Sequence, residues 1–264
     1  MAKIKQKFPW KRLRVSILLV ILAIVALNTW RDRNQNWSKP IYVVLYPINA
    51  DQSQVSQNYI NQIQLSELKE ISDYLNQQAK AYTDQAIHFH FVLGQQVQNM
   101  PPAVPQTGKI LDVMLWSLKF RYYAWQQQQD LAVKPSVSLF LTYYDPKQNP
   151  VLKHSTALQK GRIGIVNLFS SQKQQAQNKI VITHELLHAF GALDKYDLNT
   201  GQPIFPIGYS DPQQQPLYPQ KMAEIMAVAV PVSSSESKMA HNLAQTRVNL
   251  ATAQELGWAK PLRE

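Results

Sequence analysis

The sequence predicts one α/β (α+β) domain in which strands alternate with helices. Three observations carry this. Short β-branched and aromatic runs, bounded by Pro, Gly and Asp, alternate with stretches whose apolar residues recur every three or four positions, which is the pattern of helices laid over a sheet. The chain beyond an N-terminal apolar run is about 225 residues long, enough for one sizeable core. There is no cysteine, so neither disulfides nor thiolate metal ligands take part.

The chain opens on Lys3, Lys5, Lys7, Lys11, Arg12 and Arg14, with no acid among its first fourteen residues. Val15 to Leu27 follows without a charge, and Asn28, Thr29 and Trp30 extend it toward an interface. A basic start before an apolar core fits a signal peptide. It also fits a membrane anchor, although the run is short of the ~20 apolar residues that span a bilayer. A small-x-small cleavage site is missing, because Ile24 stands third back from a cut after Ala26. The expectation is an uncleaved signal anchor. Residues 1–14 stay cytoplasmic, 15–30 cross the membrane, 31–40 form a polar stalk, and 41–264 fold on the far side, in the periplasm or outside the cell.

The same segment explains the charge. Residues 1–39 hold nine Lys/Arg and one Asp, whereas 40–264 hold 18 Lys/Arg and 16 Asp/Glu. The net charge of +10 is therefore mostly N-terminal. The body shows no basic cluster interleaved with aromatics, so nucleic acid is not an expected partner.

Within the body, Ile41 to Tyr46 reads as a buried first strand ended by Pro47, and Asp51 to Asn58 as a polar loop. Leu65, Leu68, Ile71 and Leu75 recur at helical spacing, predicting a helix to about Ala81. Ile87 to Leu93 is a second strand whose alternation puts His88 and His90 on one face. They are a possible two-histidine site or simply a half-exposed strand face. A long helix is expected from Ile110 to Gln128, with Leu111, Met114, Leu115, Leu118 and Tyr122 as its apolar stripe and with an aromatic stripe, Trp116, Phe120, Tyr123 and Trp125, assigned to the core. Val137 to Tyr144 is a third strand, Asn149 to Lys160 a loop or edge strand, and Arg162 to Phe169 a further strand. Lys195 to Lys221, rich in Pro and Gly, is a structured loop. Asp197, Asn199 and Gly201 in it resemble a calcium loop only faintly. A last helix ends at Gly257-Trp258.

The chemistry concentrates in Thr183 to Asp194, which reads His-Glu-x-x-His-x-x-Gly-x-x-Asp. Residues four apart share a helix face, so His184 and His188 can aim two imidazoles at one metal ion. Glu185 sits where a carboxylate can hold a metal-bound water and take its proton. Gly191 can adopt the left-handed conformation that ends a helix. The chain then turns back and brings Asp194 round as third ligand, leaving a fourth position for water. Asp197 and Glu224 are the other acids available for the third place.

The helix motif, the glycine and acid after it, and Ala223-Glu224-Ile225-Met226-Ala227 about thirty residues on resemble the metzincin metallopeptidases, closest to the snapalysin-like pattern. Those motifs cover roughly Ile180 to Ala227. The resemblance implies a twisted mixed sheet packed on two helices, an active-site helix, a methionine turn with Met226 beneath the metal, and a closing C-terminal helix. It also implies an edge strand that pairs with an extended peptide substrate. The implied activity is peptide-bond hydrolysis with Zn2+ on His184, His188 and Asp194 and with Glu185 as general base. Tyr196 or Tyr209 would assist the oxyanion. Two other classes stay open: a zinc amidase acting on cell-wall material, and a tethered binding module with a structural zinc.

Overall fold

Five strands carry the domain. The computed structural model describes residues 10–105, 109–128 and 133–260. Residues 1–9 of the basic segment, 106–108, 129–132 and the tail 261–264 lie outside the described residues. The strands are β1 (Ile41–Asn49), β2 (Phe89–Leu93), β3 (Val137–Tyr144), β4 (Thr156–Leu158) and β5 (Ile163–Phe169). They form a mixed sheet in the order β2-β1-β3-β5-β4, parallel except for the antiparallel edge strand β4.

The central strands are apolar almost without a break because both faces of the sheet are covered. Val43, Leu45, Leu139, Leu141, Val166 and Leu168 join one cluster with α3 (Lys69–Lys80) and α5 (Gln175–His188). The alternate residues Val44, Tyr46, Ile48, Phe140 and Ile165 meet Trp116, Phe120 and Tyr123 of α4 (Ile110–Gln127) on the other face. The arrangement is mixed α/β, with α4 alone on one side. The smaller elements α2 (Gln54–Asn61), β6 (Ala223–Glu224), β7 (Ala229–Pro231), β8 (Ser237–Met239), β9 (Thr246–Arg247) and α6 (Leu250–Glu255) complete it. Asn249 caps α6 by accepting from Thr252 N–H, and Gly257, at φ +75°, follows its end.

Four details depart from the sequence reading. Pro47 does not end β1, which continues to Asn49 in register with β3. The carbonyl of Pro47 faces the β2 side, accepting from Val97 N–H, and β2 has already ended opposite Leu45. The missing N–H therefore costs no ladder bond. The expected loop at 51–58 contains most of α2, started by the Ser53 side chain on Ser56 N–H. On α4 the aromatic stripe assigned to the core divides: Trp116, Phe120 and Tyr123 are buried and Trp125 is exposed, while the apolar stripe Leu111, Met114, Leu115, Leu118 and Tyr122 faces outward. The segment 31–40 is not a free stalk either. Trp37 is buried among Phe89, Phe190 and Trp258, and its indole N–H donates to Leu256 O at 2.9 Å.

The N-terminal helix α1 (Trp10–Arg33) has 24 residues, and its apolar side chains from Val15 to Leu27 are exposed. Among the described residues no helix is long and apolar enough to cross a membrane. Lys11, Arg12 and Arg14 occupy the turn before the apolar run, so the expected span over 15–30 lacks that support.

Candidate metal centre

The C-terminal half of α5 is buried on most sides, Ile180, Ile182, Leu186 and Leu187 fixing it against the sheet. This locks the helix rotation and turns His184 and His188 the same way. Their rings stand at 90° with centroids 4.5 Å apart, and their Nε2 atoms are 2.9 Å apart. The helix ends at Ala189. Gly191, at φ +101°, reverses the chain, with Ala192 N–H donating to Leu187 O at 3.1 Å. A β-carbon at Gly191 would also collide with the Gln159 side chain. The reversal carries Asp194 back over the helix end, so that Asp194 Oδ1 lies 3.2 Å from His184 Nε2 and 3.1 Å from His188 Nε2.

The other ring nitrogens decide what these three atoms are. His184 Nδ1 is 3.2 Å from Ile225 O, and His188 Nδ1 is 2.7 Å from Ala192 O. A backbone carbonyl only accepts, so both Nδ1 atoms carry the proton. In the neutral imidazoles both Nε2 atoms then present lone pairs to each other and to a carboxylate oxygen. Three acceptors converge with no donor among them, and such a cluster requires a cation, either a proton or a metal. The edges of 2.9, 3.1 and 3.2 Å are near the roughly 3.3 Å between ligands of a tetrahedral site with Zn–N bonds of 2.0–2.1 Å. The donor set of two imidazoles and one carboxylate suits a borderline divalent ion such as zinc.

Glu185, one residue on, has donor atoms within 4.8 Å of those of both histidines. Its Oε2 is buried without a hydrogen-bond partner. Burial pushes its carboxyl upward, partly opposed by His184 and His188. Asp194 goes the other way: burial raises it, but its contacts with His184 and His188 outweigh burial and hold it low. Burial lowers His184, and its contacts with Asp194 and Glu185 more than restore it, for a net rise.

No protein-family model matches the chain, and no curated protein matches it. Among solved structures, one described as "Structure of a chaperone-substrate complex" aligns over 85% of this chain and 39% of that one, at 11% identity and a TM-score of 0.39. The chain thus spans about two fifths of that structure's length.

The remaining candidates separate by position. Glu224 is buried, and its carboxylate accepts from Met226 N–H, Thr252 O–H and Asn249 N–H. Asp197 is exposed, its Oδ1 taken by Asn199 N–H, Thr200 N–H and the Thr200 hydroxyl. Tyr196 lies beside the centre, 6.4 Å between ring centroids from His184, with its hydroxyl against Asp194. Tyr209 is buried elsewhere, its hydroxyl 2.8 Å from that of Tyr218. His88 and His90 are both exposed, and His90 stacks on Tyr42.

Beneath the centre, Glu224 to Val228 forms a tight turn with Met226 fully buried. Its Ile225 carbonyl orients His184, and its Met226 carbonyl accepts from Lys195 N–H. Two features escaped the sequence. His154 stands close enough to act electrostatically on Glu185. Glu255, on α6, accepts from Leu193 N–H at 2.9 Å and from the buried Lys195 ammonium at 2.5 Å. It thus grips the residues on either side of Asp194, and the 60-residue separation leaves no local pattern to find. Glu255→Ala frees that loop and strands the Lys195 charge, so metal affinity should fall about 10–100-fold, as for lost supports of ligands. Glu255→Gln, which keeps one acceptor, should recover part of it. Titration with zinc reads both.

Glu224 supplies a pH effect. Burial lifts its carboxyl from 4.5 to about 7, against the opposing bonds from Thr252, Met226 and Asn249. A raised folded value means this group's favourable contribution is complete below about 4.5 and is lost as pH rises through about 7. The loss amounts to about 3 kcal/mol. Glu224→Gln, whose amide can donate to Thr252 and accept from Met226 N–H, should flatten that part of the profile. Urea unfolding of both proteins between pH 5 and 8 should give curves whose difference grows with pH.

Proposed function

We propose that this chain is a zinc-dependent metallopeptidase of metzincin type, held at a membrane by its N-terminal helix. The observation that carries the reading is the convergence of three lone-pair donors, His184, His188 and Asp194, with the unpartnered Glu185 oxygen beside them. These three residues would hold a zinc ion, which supplies a Lewis acid able to polarise a carbonyl and acidify a water. Glu185 is the base: its raised, buried carboxylate takes the proton of the attacking water and passes it to the leaving amine. Tyr196, whose ring lies 6.4 Å from that of His184, would donate to the carbonyl oxygen as charge develops there. Ile225 and Ala192 keep both imidazoles in the tautomer that offers Nε2.

The substrate is an extended peptide. β4 pairs with the sheet through β5 on one side and is the edge of the sheet on the other, so its outer backbone can accept a further strand. For the attachment, Trp10 and Trp30 are twenty residues apart on α1. Between them, the charge-free stretch Val15 to Leu27 would enter the bilayer, with Trp30 at one interface and Lys11, Arg12 and Arg14 kept among the headgroups of the other. The proposed topology keeps residues 1–14 cytoplasmic and the domain on the far side.

The test is metal analysis of the full chain with a general peptidase assay. The expected result is about one zinc per chain, with peptide cleavage abolished by a chelator and restored by zinc. Zinc binding without cleavage of any peptide, but with release of amines from isolated wall polymer, would favour the amidase reading.

A further inference from the structure

The outer surface of α4 has no counterpart in the proposed catalysis. Leu111, Met114, Leu115, Leu118, Tyr122 and Trp125 form one contiguous helix face, and each is between 56 and 70% exposed. Together they present on the order of 700 Å2, more than a monomer ordinarily leaves open. A helix apolar on both its inner and outer sides is one that something else covers.

We propose that this face docks on an anionic lipid surface, the same bilayer that α1 enters; the orientation rests on that reading of α1. Two observations select lipid. The first is charge. Lys109, Lys119, Arg121 and Lys160 surround the face, Arg121 donating to Lys160 O at 2.6 Å, and Asp112 is the one acid on the helix. Anionic headgroups complement that rim, whereas a second copy of the chain would set like charges together. The second is position. Trp37 is buried in the domain four residues after α1 ends at Arg33, so the domain sits within about 15 Å of the helix end. The C-terminal end of α4 lies at that same end of the sheet: Gln128 Nε2 donates to Ser138 Oγ at the start of β3, and Ser136 shares a depression with Asn34, Lys39 and Arg162. Tyr122 and Trp125, side chains suited to a lipid interface, are on that end and stack on one another. Tethering by α1 makes even a weak contact persistent. α5 packs on the opposite face of the sheet, so docking by α4 turns the metal centre away from the lipid.

The absence of cysteine makes the test clean. The full chain is reconstituted in phosphatidylcholine vesicles with and without 30% phosphatidylglycerol. Single variants Leu118→Cys, Ile21→Cys and Ser235→Cys carry an NBD fluorophore, and a lipid-borne nitroxide is the quencher. The expected result is quenching at Leu118→Cys at least threefold greater than at Ser235→Cys, strengthened by the anionic lipid and lost when Leu115→Glu is added. Quenching at Ile21→Cys but not at Leu118→Cys overturns the docking and leaves the anchor standing. Quenching at Leu118→Cys but not at Ile21→Cys supports docking and refutes the anchor. Equal quenching at Leu118→Cys in both lipids overturns the anionic preference. Self-quenching between Leu118→Cys labels in detergent, without lipid quenching in vesicles, assigns the face to a second copy instead.

Discussion

Glu185→Gln is expected to lower kcat/KM for peptide hydrolysis by about 10²- to 10⁴-fold, the range of a general base, while the metal content stays at the wild-type value. The amide keeps the size and polarity of the side chain but cannot take a proton. Folding stability should hold or rise. Glu185 is buried, one of its oxygens has no hydrogen-bond partner, and its carboxyl is pushed up by burial. Replacing a group that resists ionisation with a neutral one relieves the folded state. The combination separates the possible roles. A structural residue would lose stability on substitution, and a metal ligand would lose zinc. A base loses only turnover, and its loss removes the acidic limb of the pH–rate profile. If Glu185→Gln leaves every turnover unchanged, the chain is a binding module with a bound ion, and the proposed hydrolase is wrong. Zinc content and thermal unfolding measured beside the kinetics decide among these.

What could be read from the sequence follows the range of the interactions. The two imidazoles are a helical-turn pair, and four-residue spacing fixes that geometry locally. Asp194 depends on one further local event, the reversal at Gly191, which the glycine itself announces. The strands were recognisable because β-branched runs buried on both faces need no partner to stand out. Pro47 misled because its tolerance depends on where the neighbouring strand stops. α4 was read correctly at Trp116, Phe120 and Tyr123 and misled at Trp125 and along its apolar stripe. It is apolar nearly all round, so periodicity offers two stripes and cannot say which one meets the sheet. The aromatics Trp116, Phe120 and Tyr123 proved to be the inner set, stacked around Phe140. Trp37 lies in a polar stretch and is buried only because Phe190 and Trp258 come to it from distant segments. Glu255 and the Ile225 carbonyl shape the centre across 40 residues or more, beyond any pattern local to the motif.

The third ligand is the assignment with the most competitors, and a comparison of three variants tests it. Asp194→Ala should lose metal affinity by at least 10²-fold, because it removes the one negative group in contact with both Nε2 atoms. Asp197→Ala removes a turn carboxylate at the surface, and Glu224→Gln removes a charge engaged with Met226, Thr252 and Asn249. Both should bind zinc as the wild type does. Stability gives an independent readout, because a ligand that binds only the folded chain stabilises it by about 2.7 kcal/mol at a hundred times Kd. For a domain of this size that amounts to roughly 5–10 °C in Tm. The zinc-dependent rise in Tm should therefore appear for the wild type, Asp197→Ala and Glu224→Gln and be absent for Asp194→Ala at the same free zinc. Without metal, Asp194→Ala should also shift the titration of His184 downward, since the carboxylate that offsets its burial is gone. Imidazole signals followed by NMR across pH 5 to 8 report that directly. Full zinc retention by Asp194→Ala together with loss in Glu224→Gln would move the third ligand to the turn beneath the helix and break the likeness to the metzincin plan.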